Sequence, residues 1–225
     1  MIEIEVTKAE HLLATRHELY STLLILAASI DARDPLTTGH SERVRDLAVG
    51  ICTAMDLDEE FCECVRVASL LHDYGKIEIP DAILKKDGRL SQEEYEIIMT
   101  HSKKTRDILS QINFVGEYKD VAEIAGSHHE QWDGQGYPEA LAGEDIHLGA
   151  RIVAVADYYD AVTSKRYYRD PMPIDVAVKL ILKQSGKAFD PVVVDAFSAI
   201  SGTWRRGLRR ISRATGGFKQ PANSG

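Results

Sequence analysis

The chain has 225 residues, of which 44% are hydrophobic and 28% are charged, a composition typical of one soluble globular domain with a short appendage. Its 35 acidic and 27 basic residues give a formal net charge of -8, which argues against a general nucleic-acid coat because such proteins are basic. The longest apolar runs are far shorter than a membrane span, and the first residues lack the basic and apolar segments of a secretory signal. We therefore expect a cytoplasmic protein with no membrane span.

The N-terminal segment carries leucines at a seven-residue spacing, namely Leu12, Leu19 and Leu26. This stripe predicts a helix within residues 1–30, which either belongs to the core or forms the seam of a homodimer. The helix is predicted to end at Asp34-Pro35, because a proline disfavours helical geometry in the residue before it.

Apolar residues at helical spacing predict helices over most of the remaining chain. We place these helices at about residues 44–55, 58–72, 91–109, 119–129 and 150–163, with two more beginning at Pro173 and at Asp190-Pro191. Thr37 and Thr38 are candidate N-caps of the second helix, and Ser91 opens the fourth with a capping box to Glu94. No run of alternating strands occurs, so the predicted fold class is all-α.

The three cysteines, Cys52, Cys62 and Cys64, are too few and too odd in number for a disulfide framework. The Cys62-x-Cys64 pair also has no second pair with which to form a zinc knuckle. We expect all three to be reduced packing residues.

Five histidines and two aspartates stand out because charged pairs in apolar helices need a cation or a strong hydrogen bond. They are His40, His72, Asp73, His101, His128, His129 and Asp157. Imidazole and carboxylate together suit iron, manganese, zinc and nickel. Seven ligands exceed what one ion takes, so the set predicts a two-metal cluster with a bridging aspartate. His11, His17 and His147 are expected to be ordinary histidines.

Two motifs carry a resemblance to a known family. The segments HDYGK at 72–76 and HHEQWDGQGYP at 128–138 resemble the HD-GYP family, a branch of the HD metal-dependent phosphohydrolase superfamily. The similarity runs from about Asp31 to Phe197. It implies a compact, multi-helix HD-type bundle with a metal site in its core. The expected organisation is an N-terminal helix at 1–30, a catalytic domain at 31–200 and a basic, flexible tail at 201–225.

The resemblance implies a cyclic di-GMP phosphodiesterase that produces linear pGpG, with GMP as a further product left open. In this family the seven histidines and aspartates correspond to metal ligands, with Asp73 bridging, and Lys76 corresponds to a lysine on the scissile phosphate. Arg166 and Arg169 correspond to basic residues near the substrate phosphates, and Tyr137 lies in the signature loop beside the pocket. Two metals lower the pKa of a shared water and neutralise the charge of the transition state, and the three basic residues would add to that effect.

Three positions depart from the family pattern. Relatives that bind a third metal carry glutamate where this chain has Leu36, so we expect two ions, with iron or manganese ahead of zinc, nickel and magnesium. Thr105 and Tyr167 replace a usual glycine and a usual proline, which bears on local backbone shape and removes no ligand.

Two other hypotheses remain open from the sequence. One is a non-catalytic module that binds a cyclic dinucleotide and docks a diguanylate cyclase. The other is an HD phosphohydrolase that acts on a different cyclic nucleotide, because residues that bind phosphate do not read bases. Only about thirty residues precede the catalytic domain, so either regulation comes from a separate sensory protein or the chain is a fragment that lacks a sensory domain. The arginines after Trp204 are either a solvated helix or a contact with an anionic partner.

Overall fold

The computed structural model describes residues 18, 20–33, 38–164 and 170–202, and most of these residues are helical. The helices are α1 (20–31), α2 (His40–Ala54), α3 (Glu59–Leu71), α4 (Asp81–Leu84), α5 (Gln92–Leu109), α6 (Val121–Gly126), α7 (Leu148–Thr163), α8 (Ile174–Lys183) and α9 (191–202). The described ranges contain no β-strand, only an isolated bridge between Ser185 and Phe189. The all-α prediction is confirmed.

Helix α7 forms the centre of the bundle. It packs against α2, α3, α6 and α8, and most of its side chains are buried. The sequence accounts for this position because α7 is apolar nearly all round, and such a helix is stable only when every face is covered. The helices that carry chemical groups therefore meet on α7.

The described part of α1 packs into the same core through Leu23, Ala27 and Ile30. At its end the carboxylate of Asp31 accepts hydrogen bonds from the backbone and the hydroxyl of Ser41, at 3.3 and 2.8 Å, which ties α1 to the start of α2. Leu12 and Leu19 lie outside the described residues, so a dimer seam remains a prediction. The basic tail after Trp204 lies outside them too.

Two predictions of helix ends were wrong. Thr38 does not cap α2; Gly39 holds that position in the left-handed conformation, with φ of 67°, and makes no side-chain cap. The helix predicted at 119–129 is shorter and ends at Gly126, so that His128 and His129 lie in the turn that follows. The capping box of Ser91 and Glu94 is confirmed.

The cysteines are reduced, as predicted, with Cys52 and Cys64 buried and Cys62 half-buried. Across the described ranges, no helix combines the length and the hydropathy that a membrane crossing needs.

Candidate metal and substrate site

All seven predicted ligand residues converge beside α7. The first turn of α2 supplies His40, the end of α3 supplies His72 and Asp73, and α5 supplies His101. The turn after α6 supplies the pair His128-His129, and α7 supplies Asp157. His40, His72, His101 and His128 are all at most 4% exposed.

The first metal group consists of His40, His72 and Asp157, whose potential ligand atoms lie within 4.8 Å of one another. The Nε2 atom of His40 lies 3.2 Å from Asp157 Oδ1 and 3.3 Å from the Nε2 atom of His72. Two imidazoles and a carboxylate therefore face one point.

The second metal group consists of His101, His128 and His129, which meet the same 4.8 Å criterion. The Nε2 atoms of His101 and His128 are 3.5 Å apart, and the ring of His129 lies 4.0 Å from that of His128 between centroids. This group contains imidazoles alone.

Asp73 lies between the two groups and presents one oxygen to each. Its Oδ2 atom is 3.5 Å from Nε2 of His72 and 3.8 Å from Nε2 of His40. Its Oδ1 atom is 3.3 Å from Nε2 of His101. Asp73 could therefore offer one oxygen to a cation held by either group.

Hydrogen bonds at the opposite ring nitrogen orient four of the histidines. The Nδ1 atoms of His72, His101 and His128 each lie 2.7 Å from the backbone carbonyl three residues earlier, to which they donate. The Nδ1 atom of His40 donates instead to Asp160 Oδ2 at 2.7 Å. A protonated Nδ1 leaves Nε2 as the coordinating atom, which is the usual arrangement around protein metal sites.

Sequence reasoning assigned no role at the metal site to Asp160. Its carboxylate also accepts two hydrogen bonds from the Arg43 guanidinium, at 2.7 and 3.0 Å. The available signal was its spacing, because Asp160 lies three residues after Asp157 on a buried helix and must face the same side. A second buried aspartate on this helix needs a partner as much as the first does.

The pKa values describe a site whose carboxylates are ionised. Burial raises the pKa of Asp73, but Lys76 and His72 outweigh it and hold the pKa well below the usual range. Burial lowers the pKa of His72 and of His128, and it lowers that of His129 to about 3, with His101 adding to the effect. These rings are therefore neutral, as metal ligands must be.

His40 is the exception among the ligands. Burial acts to lower its pKa, but hydrogen bonds to Asp157 and Asp160 raise it to about 10. Without an ion, a proton on the ring balances the surrounding carboxylates. A cation at Nε2 would take over that role and release the proton.

The donor set fits transition metals. Every coordinating atom is an imidazole nitrogen or a carboxylate oxygen, the choice that suits iron, manganese, zinc and nickel. The orienting hydrogen bonds hold these atoms toward a common centre, so the groups are preorganised for a cation.

Lys76 lies at the edge of the metal groups on a 3-10 segment, Tyr74–Glu78. Its Nζ atom donates to Asp73 Oδ2 at 2.6 Å. Sequence reasoning missed the residue that holds this segment: Arg33 donates to the carbonyls of Lys76 at 3.0 Å, of Ile77 at 2.5 Å and of Ile79 at 3.1 Å. Nothing in the local pattern around Arg33 indicated this contact.

Thr105, which departs from the family pattern, makes two buried hydrogen bonds. Its hydroxyl accepts from the backbone N–H of Gly75 at 2.8 Å and donates to the carbonyl of His72 at 3.0 Å. A Cβ atom on Gly75 would lie 2.1 Å from the carbonyl oxygen of His101, so only glycine allows this approach. Thr105 thus holds the turn that carries His72 and Asp73 against α5.

The signature loop folds back over His129. Both oxygens of the buried Glu130 accept backbone hydrogen bonds, from Glu139 at 2.7 Å and from Leu141 at 3.0 Å. The ring of Tyr137 lies 4.8 Å from that of His129, and burial raises the pKa of its phenol. Tyr137 is therefore beside the second metal group and neutral.

Other predicted site residues cannot be placed. Arg166, Arg169, Leu36 and Tyr167 lie outside the described residues. His147 is described and caps α7 by accepting from the N–H of Gly149 at 3.0 Å.

Comparisons with known proteins agree with this arrangement. The chain is 38% identical over 226 residues to a cyclic di-GMP phosphodiesterase of Thermotoga maritima, covering 99% of this chain and 61% of the relative. It is 37% identical over 171 residues to a 3'3'-cGAMP-specific phosphodiesterase of Vibrio cholerae, covering 76% of this chain and 36% of the relative. The chain therefore spans less than two thirds of the length of these relatives.

A crystal structure of a cyclic GMP-AMP-specific phosphodiesterase of V. cholerae has a similar fold. The TM-score is 0.62 at 21% identity, with 82% of this chain and 49% of that chain covered. A sequence profile described as HD domain matches residues 25–193, which contain every predicted metal ligand. The expected membership of the HD superfamily is thereby confirmed: this chain belongs to the HD domain family.

Proposed function

We propose that this chain is a metal-dependent phosphodiesterase that hydrolyses cyclic di-GMP to linear pGpG. The observation that carries the proposal is the position of Asp73, whose two oxygens face His72 on one side and His101 on the other. A carboxylate placed in this way serves two ions, and a pair of ions suits the hydrolysis of a phosphodiester. The names of the curated relatives support the same activity.

The proposed ligands are His40, His72 and Asp157 for one ion, and His101, His128 and His129 for the other, with Asp73 shared. Two ions, iron or manganese, are proposed. When bound, they would activate water and neutralise the phosphate. Catalysis is assigned to the region 31–200.

The chain's own groups would bind and orient the substrate. Lys76 Nζ lies beside the bridging carboxylate, within reach of a phosphate oxygen at the metal site, and would neutralise charge that develops there. Arg166 and Arg169 are proposed to hold phosphate oxygens through bidentate hydrogen bonds, which lysine cannot reproduce. Replacing either arginine with lysine should weaken substrate binding about ten- to hundredfold and leave metal content unchanged.

Product analysis tests the function. Protein prepared without oxygen and reconstituted with Mn²⁺ or Fe²⁺ is incubated with cyclic di-GMP, 3'3'-cGAMP and cyclic di-AMP, and products are separated by chromatography. We expect pGpG from cyclic di-GMP, and the same assay shows whether GMP follows. Binding without any product would instead support a module that docks a diguanylate cyclase.

A second candidate function is hydrolysis of a mixed cyclic dinucleotide. The name of the Vibrio cholerae relative favours it, since that protein is called 3'3'-cGAMP-specific. The same panel of substrates separates the two: a higher kcat/KM for 3'3'-cGAMP than for cyclic di-GMP would assign this chain to the mixed substrate.

A further inference from the structure

A cavity of about 740 Å³ opens beside the metal groups, and no role assigned above uses it. Three metal ligands, His128, His129 and Asp157, form part of its wall. The rest of the wall comes from the signature loop, from α7 and from the segment 184–189 between α8 and α9. A phosphodiester held at the metal site would therefore have this cavity next to it, and the volume is in the range of small-molecule sites.

The walls of the cavity are held together by backbone and side-chain contacts. The N–H groups of Trp132 and Asp133 donate to the carbonyls of Ala188 and Lys187, at 3.2 and 2.9 Å. The guanidinium of Arg151 lies 5.6 Å from the ring centroid of Trp132 and also pairs with Asp190 at 2.6 Å. The loop and the segment 184–189 are thus one preformed surface.

One wall carries an aromatic ring next to a metal ligand. Tyr158 follows Asp157 on α7, lines the cavity and is half-buried. Its ring packs edge-to-face on the buried Phe189, with centroids 5.3 Å apart. A ring held in this way is a platform on which a nucleobase can stack.

The same cavity carries a carboxylate and an ammonium on adjacent backbone. They belong to Asp133 and Lys187, which are both exposed. Asp133 Oδ1 accepts from the N–H of Gln135 at 3.1 Å. Among the described residues, neither its Oδ2 atom nor the Nζ atom of Lys187 has a hydrogen-bond or ion-pair partner.

The charges of Asp133 and Lys187 match the hydrogen-bonding groups of guanine better than those of adenine. Guanine presents N–H donors at N1 and N2 beside acceptors at O6 and N7, whereas adenine presents a donor at N6 in place of O6. A carboxylate acceptor and an ammonium donor that line the same cavity can together satisfy the guanine edge, whereas the ammonium would face the N6 amino group of adenine.

We infer that this cavity is a guanine-binding subsite, in which Tyr158 stacks on the base, Asp133 accepts from its N1 and N2 groups and Lys187 donates to O6 or N7. The inference rests on the proposed function and deepens it, because it explains how a metal site that reads only phosphate can prefer guanine. It assigns substrate choice to side chains outside the metal groups.

The test measures kcat/KM for cyclic di-GMP and for cyclic di-AMP with manganese-loaded protein. Lys187→Ala and Asp133→Asn should each lower the ratio of the two values about ten- to hundredfold, because each removes a contact that only guanine makes. Tyr158→Leu should raise KM about tenfold or more for both substrates and leave the ratio unchanged, since stacking does not discriminate bases. Metal content of each variant, measured by elemental analysis, should equal that of the parent protein.

Lys183→Ala is the matched control, because Lys183 is an exposed lysine on α8 that does not line the cavity. It should leave both kcat/KM values unchanged. The subsite would be overturned if the parent protein prefers cyclic di-GMP and the variants keep that preference. A preference of the parent protein for cyclic di-AMP would overturn it as well. Parent protein that hydrolyses bis(p-nitrophenyl) phosphate but no cyclic dinucleotide would instead overturn the proposed function.

Discussion

The two metal groups are built in different ways from similar residues. In the first, His40 is oriented by the carboxylate of Asp160, which Arg43 holds in turn, and Asp157 adds a further negative charge. In the second, His101 and His128 donate to carbonyls of the preceding helical turn, and no carboxylate other than Asp73 approaches within 4.0 Å among the described residues. The first group therefore depends in part on charged side chains from distant helices, with only His72 held by a local carbonyl, whereas His101 and His128 of the second group both depend on the local backbone.

This difference indicates that the two ions would be held unequally. Carboxylates in the first group favour a harder, more highly charged ion, whereas three imidazoles in the second suit a softer one. Metal affinity of the first group should fall when a charged side chain is removed, and that of the second group should fall when the backbone shifts. Four substitutions test this comparison.

Asp73→Ala should have the largest effect, because both groups share this carboxylate. We expect loss of both ions and of cyclic dinucleotide hydrolysis. Elemental analysis and product chromatography measure the two. Retention of one tightly bound ion would show that Asp73 belongs to one group and does not bridge.

Lys76→Ala should lower kcat about 10²- to 10³-fold and keep both ions, since the lysine is expected to touch phosphate and not metal. Turnover and metal content are measured on the same preparation. Lys85→Ala, which removes an exposed lysine that pairs with Asp81 just after α4, is the control. If Lys76→Ala lost its metal as completely as Asp73→Ala, the proposed separation between a phosphate-binding lysine and a metal-binding aspartate would be wrong.

Asp160→Asn should weaken binding of an ion to the first group about 10- to 100-fold and leave binding to the second group unchanged. A neutral side chain holds the His40 ring less firmly and makes its Nε2 atom a poorer metal ligand. Calorimetric titration with Mn²⁺ separates the two affinities. Asp175→Asn, at an exposed position on α8, is the control and should change neither. Equal weakening of both ions would contradict the proposed difference between the groups.

Gly126→Ala should act on the second group alone. The added Cβ atom would lie 2.6 Å from Cβ of Arg106, so α6 must shift and carry the turn with His128 and His129. We expect a loss of about 1–3 kcal/mol in the free energy of unfolding and weaker binding of the second ion.

Chemical denaturation and the same Mn²⁺ titration measure the effect of Gly126→Ala. Gly202→Ala is its control, because a Cβ atom there meets nothing within 4 Å. Unchanged affinity for both ions, together with reduced stability, would show that the turn moves as a unit and keeps its geometry.

Much of the site was predictable because its chemistry depends on residue types that can be identified in the sequence. A histidine-aspartate pair at the end of an apolar helix, and an aspartate inside another, are costly without a cation. Residue type and position along the chain were therefore enough to name one set of seven candidate ligands, namely His40, His72, Asp73, His101, His128, His129 and Asp157. The capping box at Ser91 was predictable for a similar reason, since it depends only on residues three apart.

Contacts between distant segments were not predictable. Arg33 holds the segment that carries Lys76 across more than forty positions in the chain, and no local pattern links the two. The end of α6 at Gly126 was also misplaced, and the close approach of Gly126 to Arg106 of α5 is a contact that sequence spacing does not reveal.

By itself, the sequence determined the fold class, the candidate ligand residues and their donor chemistry of imidazole and carboxylate, because these depend on residue type and local spacing. Only the tertiary structure decided which oxygen of Asp73 faces which histidine, that Asp160 orients His40, and that Tyr158, Asp133 and Lys187 share one cavity. The reason is physical: the packing of α2, α5 and α7 sets distances between side chains that lie far apart along the chain, and the polarity of each side chain alone does not specify them.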